Sequence, residues 1–121
     1  MSKFDNSVSI HPYFNITDEN MEAAKGFLAQ FNELVAANEP GCLYYNFTLK
    51  GNELCCREAY VDADAVLAHF GNCGPALGEF IKIAELTRIE VHGPADQLEK
   101  LKEAFAAMNP DYYICECGIG N

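Results

Sequence analysis

The order of elements in this sequence predicts an α+β fold: a ferredoxin-like βαββαβ antiparallel sheet with helices on one face, extended by a further C-terminal helix and strand. Three observations carry that prediction. β-rich runs with alternating apolar positions recur at residues 8–16, 42–50, 53–60, 86–92 and 111–119. Apolar stripes at helical spacing follow the first, third and fourth runs. Only Gly51 and Asn52 stand between the second and third runs, a two-residue loop suited to a hairpin, so those strands are antiparallel neighbours. With 121 residues, half of them hydrophobic, the chain suffices for one core and is too short for two ordinary domains, so residues 1–121 form a single domain.

The first strand, VSIHPYFNI, places Val8, Ile10, Phe14 and Ile16 on one face and Ser9, His11, Tyr13 and Asn15 on the other. Pro12 lacks a ladder donor, which calls for an edge position or a bulge. Thr17 and Asp18 are cap candidates for the helix that follows, whose stripe of Met21, Ala24, Phe27, Phe31 and Val35 runs to about Ala37 before Pro40-Gly41. After the hairpin, Asp62 or Asp64 opens a second helix with Val66, His69, Phe70 and Cys73 on its apolar side. The run GNCGP at 71–75 predicts a break there, with Pro75 in the first turn of a continuation. LTRIEVH forms the fourth strand, Gly93-Pro94 starts a third helix carrying Leu98, Leu101, Phe105 and Met108, and DYYICECGI is the last strand.

Eighteen acids against eight bases give a net charge of -10, and no Lys/Arg stripe is present to neutralise phosphates, which argues against nucleic acid and anionic membranes as partners. The start, MSKFDNSVSIHPYF, has no apolar leader core, and no stretch approaches the roughly 20 apolar residues of a membrane span, so a soluble, cytoplasmic protein is expected. In that setting the six cysteines (Cys42, Cys55, Cys56, Cys73, Cys115 and Cys117) read as free thiols. On a strand Cys115 and Cys117 would share a face roughly 6.6 Å apart, near the upper limit for a disulfide. No CxxC pairs with a second CxxC or HxxxH, so no metal site is expected, and the cysteines serve as buried small hydrophobes. Cys73, next to the expected helix break, is the one candidate for a reactive thiol.

Helices on one face leave the other sheet face to be explained. Tyr13, Leu43, Tyr45, Phe47, Tyr112 and Tyr113 make both faces substantially apolar, which predicts a homodimer whose sheets pack face to face.

The stretch REAYVDADAVLAHF, residues 57–70, carries Glu58 and Tyr60 at alternate strand positions, then Asp62, then a helix bearing His69. With the element order of residues 8–92, it resembles the signature of the antibiotic biosynthesis monooxygenase (ABM) family of dimeric α+β barrels, and residues 93–119 resemble the extra helix and strand of some members. The resemblance implies a small cavity between sheet and helices, which in relatives holds a polycyclic quinol, a haem or a small carbonyl compound. It also implies oxygenation without a cofactor: a phenol or anthrone deprotonated by a nearby base is an anion electron-rich enough to react with dioxygen, so the protein supplies base, orientation and electrostatics. The absence of GxGxxG and GK[ST] loops agrees with a site that holds no nucleotide.

On that basis His69 is the candidate base, with Glu58 and Tyr60 as catalytic partners that orient it or bind a substrate hydroxyl. His11, Asn15, Asn46 and Phe70 are the candidate substrate-binding residues. Each has a structural alternative: His69 as a satisfied core histidine, Glu58 paired with Arg57 or another base, and the tyrosines as core or interface aromatics. Haem-degrading members use a tryptophan near the position of His69, an asparagine in the first strand and a later histidine. This chain has no tryptophan, has His11-Pro12 near the asparagine position, and has Leu77 to Phe80 around the later histidine, so haem degradation is not expected. The expected function is a cofactor-independent monooxygenase of a small hydroxylated aromatic, with an isomerase or small-metabolite binding module as the alternative on the same fold.

Overall fold

The structure is a computed structural model that describes residues 5–120; residues 1–4, at the start of the N-terminal stretch read above, and residue 121 lie outside it. Strands β1 (Val8–Asn15), β2 (Cys42–Lys50), β3 (Glu53–Tyr60), β4 (Glu85–Gly93) and β5 (Asp111–Ile114) form one open sheet in the order β2-β3-β1-β4-β5. Helix α1 (Met21–Asn38) links β1 to β2 and α2 (Ala63–Phe80) links β3 to β4. The α+β, ferredoxin-like arrangement predicted from the element order is the one observed.

Several local expectations are corrected. The four βαββαβ strands pair antiparallel as expected, and the added β5 runs parallel to β4 after the crossover segment between them, which makes the whole sheet mixed. That segment is not one helix but α3 (Ala95–Glu99), α4 (Lys102–Phe105) and a 3-10 turn (Ala106–Met108), which still bury Leu98, Leu101 and Phe105. β5 ends at Ile114, so Cys115 and Cys117 lie beyond the strand as exposed free thiols. Of the two settings expected for Pro12 the structure has the bulge and not the edge: β1 is central, and its pairing with β4 shifts register between Tyr13 and Phe14, just past Pro12. Thr17 and Asp18 do not cap α1: a 3-10 turn, Asp18–Asn20, precedes it, and the Asp18 carboxylate accepts from Asn52 Nδ2 at 2.9 Å.

Helix α2 runs unbroken through Pro75. Its buried residues Val66, His69, Cys73, Ala76 and Phe80 follow one another at alternating steps of three and four, so a break would split a continuous core stripe. Pro75 and Gly71 both face solvent, where water can take up the Gly71 carbonyl that Pro75 leaves without a donor. The helix starts at Asp62, whose side chain accepts from the Ala65 N–H at 2.9 Å.

Even-numbered residues of β1 and β3 face the helices. There they form two adjoining clusters, one around Val8, Ile10, Tyr60 and Phe105, the other around Phe14, Phe31, Leu54 and Phe80. The opposite sheet face is bare in a single chain. It is aromatic and charged rather than apolar: His92 stacks on Tyr113 at 4.5 Å and meets His11 edge-on at 5.1 Å, while Arg88 reaches Glu90 at 2.6 Å and the Tyr113 hydroxyl at 3.0 Å. Tyr45 and Phe47, expected to contribute to either face, belong to the helix side.

Candidate active site

A cavity of about 780 Å³ lies between the inner sheet face and the helices, well within the range of small-molecule sites. Its walls are largely aromatic and aliphatic, with Phe14, Phe31, Phe47, Phe80 and Phe105 prominent; Lys82 and Glu85 also line it, and the buried Glu58 and His69 enter the lining side by side. Strand alternation brings Glu58 inward between Cys56 and Tyr60, and helical spacing puts His69 three residues after Val66 on the buried stripe of α2.

His69 bridges two carboxylates. Its Nε2 stands 3.4 Å from Glu58 Oε1, and its Nδ1 lies 2.9 and 3.0 Å from the two oxygens of Glu39. The Tyr60 hydroxyl donates to the same Glu58 oxygen at 2.6 Å. Asn72 Nδ2 donates to Glu39 Oε2 at 2.7 Å and to the Leu34 carbonyl at 2.9 Å, and the Cys73 thiol points at that Glu39 oxygen from 3.7 Å. An ionised Glu39 can only accept, so the network assigns a proton to Nδ1 and directs Nε2 toward Glu58 and the cavity.

Burial sets the protonation behaviour of the surroundings. It pushes the Glu58 carboxyl up from the usual carboxylate range, a push opposed by His69 and by hydrogen bonds from Tyr60 and Cys56. Burial, reinforced by Glu58, also holds the Tyr60 phenol far above its ordinary value, so Tyr60 acts as a donor and not as a base. The Cys73 thiol is pushed up to about 12, by burial first and then by Glu39. Such a thiol is not a ready nucleophile. Glu58 and His69 Nε2 thus face each other at 3.4 Å in the cavity wall.

The structure brings three expected site residues, His69, Glu58 and Tyr60, into one chain of contacts, with Tyr60 behind Glu58 and not in the cavity lining. Phe70 lines the cavity and packs edge-on against Phe105 at 4.6 Å. Asn15 is exposed at the rim. His11 and Asn46 do not join the site: strand alternation turns both to the opposite sheet face, where His11 contacts Ser9 at 3.1 Å and Asn46 sits across from Arg57. Sequence reasoning missed Glu39. It occupies the cap position after α1 in the run NEPG, which reads as a solvated turn, yet its side chain is only 3 % exposed.

Together, the open βαββαβ sheet and the apolar cavity beneath α2, with Glu58 and His69 in its wall, define a protein with the ABM fold. Compared with solved structures, the chain is 37% identical to MupZ from Pseudomonas fluorescens over 96% of its own length and 95% of that chain, with a TM-score of 0.91. The chain belongs to the family of MupZ. A candidate antibiotic biosynthesis monooxygenase from Caulobacter crescentus shares that fold at 21% identity and a TM-score of 0.66, covering 73% of this chain and 89% of that one. One from Nitrosomonas europaea does so at 14% identity and 0.66, covering 75% and 92%. No family model matches the sequence, and no curated protein matches it. Among the described residues, no helix is long and apolar enough to cross a membrane.

Proposed function

We propose that the chain is a cofactor-independent monooxygenase acting on a hydroxylated aromatic compound of the quinol or anthrone type. The observation that carries this reading is the Glu39–His69–Glu58 bridge, a held proton-transfer group facing an apolar cavity of about 780 Å³. Two of its members, Glu58 and His69, front the cavity, and two supporting groups, Glu39 and Tyr60, hold them from behind. In an anthrone, the Glu58–His69 pair takes a ring CH₂ proton and leaves a carbanion conjugated through the ring. The carbanion reacts with dioxygen; one oxygen atom becomes the new carbonyl and the other leaves as water, so the substrate supplies all the electrons. The protein contributes the base, the orientation and a dry site, and general base catalysis of this kind is worth about 10²–10⁴ in rate. The aromatic walls suit a planar ligand and exclude water from the anion.

A second reading, an isomerase, draws support from the same bridge. A proton taken by the pair can return to a neighbouring carbon without any oxidant, because Glu39 and Glu58 hold the His69 ring from both sides at the cavity wall. In both readings two copies pair through the bare, aromatic sheet face, which leaves each cavity on the helix side of its own sheet.

The deciding experiment measures oxygen uptake with a panel of anthrones, naphthoquinols and catechols, alongside His69→Ala and Glu58→Gln, with mass analysis of the products. Uptake above autoxidation that both substitutions abolish supports the monooxygenase. A product of unchanged mass, formed without uptake and lost in the same variants, moves the assignment to the isomerase. Turnover that survives both substitutions removes the proton-transfer pair from the mechanism.

A further inference from the structure

Three donors of different kinds meet behind the cavity wall: a carboxylate oxygen of Glu39 from the end of α1, Nδ1 of His69, and Sγ of Cys73 one turn further along α2. All three residues are buried, and their ligand atoms lie within 4.8 Å of one another. His69 and Cys73 stand four residues apart on the same helix face, a spacing that aims both side chains at one point. Glu39 Oε2 already lies 3.7 Å from the thiol and Oε1 2.9 Å from Nδ1, so the atoms surround a common centre without a change of fold. We propose that this cluster is a binding site for a divalent transition-metal ion of the zinc class, with Glu39, His69 and Cys73 as its three protein ligands.

Two further observations support the assignment independently of the donors themselves. The first is the outer shell. A histidine that ligates a metal usually directs its other ring nitrogen to a carboxylate, and a ligating carboxylate is itself hydrogen-bonded. Here His69 Nε2 faces Glu58 at 3.4 Å, and Asn72 holds Glu39 at 2.7 Å. The second is charge. Glu39 and Glu58 are both buried, and among the described residues their ion pairs run to His69 alone, so two acids share one basic partner. A divalent ion that takes the place of the Nδ1 and Cys73 protons releases two protons and leaves the local charge unchanged, while the carboxylate, imidazole and thiolate satisfy zinc or cobalt. His69 and Cys73 also border the cavity, which gives an ion a path in and leaves a fourth position open to a small molecule. The inference does not rest on the proposed oxygenation. It predicts in addition that a bound ion, by occupying Nδ1 of His69, inhibits any turnover that uses the histidine as a proton carrier.

The test titrates the metal-stripped full-length protein with cobalt(II) and reads the thiolate-to-cobalt charge-transfer absorption. The expected result is one equivalent of cobalt with a tetrahedral spectrum. The band should vanish in Cys73→Ser and persist when the exposed Cys115 and Cys117 are both changed to serine. Asn72→Ala, which leaves all three ligands in place, should weaken binding about 10–100-fold. Circular dichroism and a thermal midpoint establish that each variant is folded. Should Cys73→Ser fail to fold, the Cys115/Cys117 double variant and Asn72→Ala decide in its place. Absence of a charge-transfer band in the wild-type protein overturns the proposal, as does a band lost with Cys115 and Cys117, or one unaffected by both Cys73→Ser and Asn72→Ala.

Discussion

Replacing Glu39 tests whether the bridge is a closed structural unit. In Glu39→Ala, the Nδ1–H of His69 and the Asn72 N–H at 2.7 Å both lose their acceptor, while the second Asn72 bond, to Leu34, survives. An orphaned buried donor costs about 1–3 kcal/mol, so two give roughly 2–6 kcal/mol. Glu39→Gln keeps the volume and one accepting oxygen and orphans a single donor, so it should cost about 1–3 kcal/mol. Urea unfolding read by circular dichroism gives both numbers from the shift in midpoint at unchanged slope. The order wild type, Gln, Ala is the expected ranking of stability. A loss under about 1 kcal/mol for Glu39→Ala, or a Gln variant less stable than the Ala variant, would refute the view that Glu39 is the acceptor that holds His69 in place.

Three other outcomes follow from the same geometry. Burial raises the folded-state pKa of Glu58, so the folded chain holds that proton more tightly than the unfolded one; this contribution to stability is complete below the ordinary carboxylate range and is lost as pH rises above it, through the raised folded-state value. Urea unfolding between about pH 4 and pH 8 should therefore show Glu58→Gln gaining stability relative to wild type as pH rises, by at most about 1.4 kcal/mol per pH unit, with no such trend if Glu58 is unstrained. Tyr60→Phe removes the 2.6 Å donor from a buried carboxylate and should cost about 1–3 kcal/mol in the same assay, with a smaller effect on binding of an aromatic ligand than on turnover, since Tyr60 does not line the cavity. Ser9→Arg places a bulky charge on the bare sheet face between Ala59 and His92; sedimentation velocity should show a wild-type dimer and a variant monomer, and a dimer that persists in the variant would move the interface elsewhere.

The backbone plan was legible because it rests on short-range rules. Gly51 takes a positive φ of 59° in the hairpin turn that joins β2 to β3, and Asp62 caps α2 as its side-chain chemistry predicts. The errors arose where a local rule met a longer-range constraint. GNCGP carries every local signal of a helix break, but Val66, His69, Cys73, Ala76 and Phe80 keep the buried stripe continuous across it, and an exposed proline costs less than splitting that stripe. Pro12 calls for an edge or a bulge, and the longer-range constraint selects the second: β1 is the middle strand, with its Val8, Ile10 and Phe14 in the core, and its register with β4 shifts just past Pro12.

The site divides along the same line. Glu58, Tyr60 and His69 were visible because strand alternation and helix spacing fix their directions, and the contacts at 2.6 and 3.4 Å are the result. Glu39 was not visible, since nothing local to an Asn-Glu-Pro-Gly turn distinguishes a solvated acid from a buried one. What buries it is tertiary: Gly41 lies so close to α2 that an added Cβ would stand 2.7 Å from the Cβ of Ala65, and the Val61 N–H donates to the Gly41 carbonyl at 2.9 Å. That close approach draws the whole α1–β2 turn against the start of α2 and carries the Glu39 carboxylate to His69. A side chain at position 41 would have to push the turn outward, so the glycine that reads as a turn former also sets how far the acid reaches. The candidate chemistry of the cavity thus depends on a residue outside it, and a search of turns for glycines in contact with a neighbouring helix is the signal that would have found Glu39.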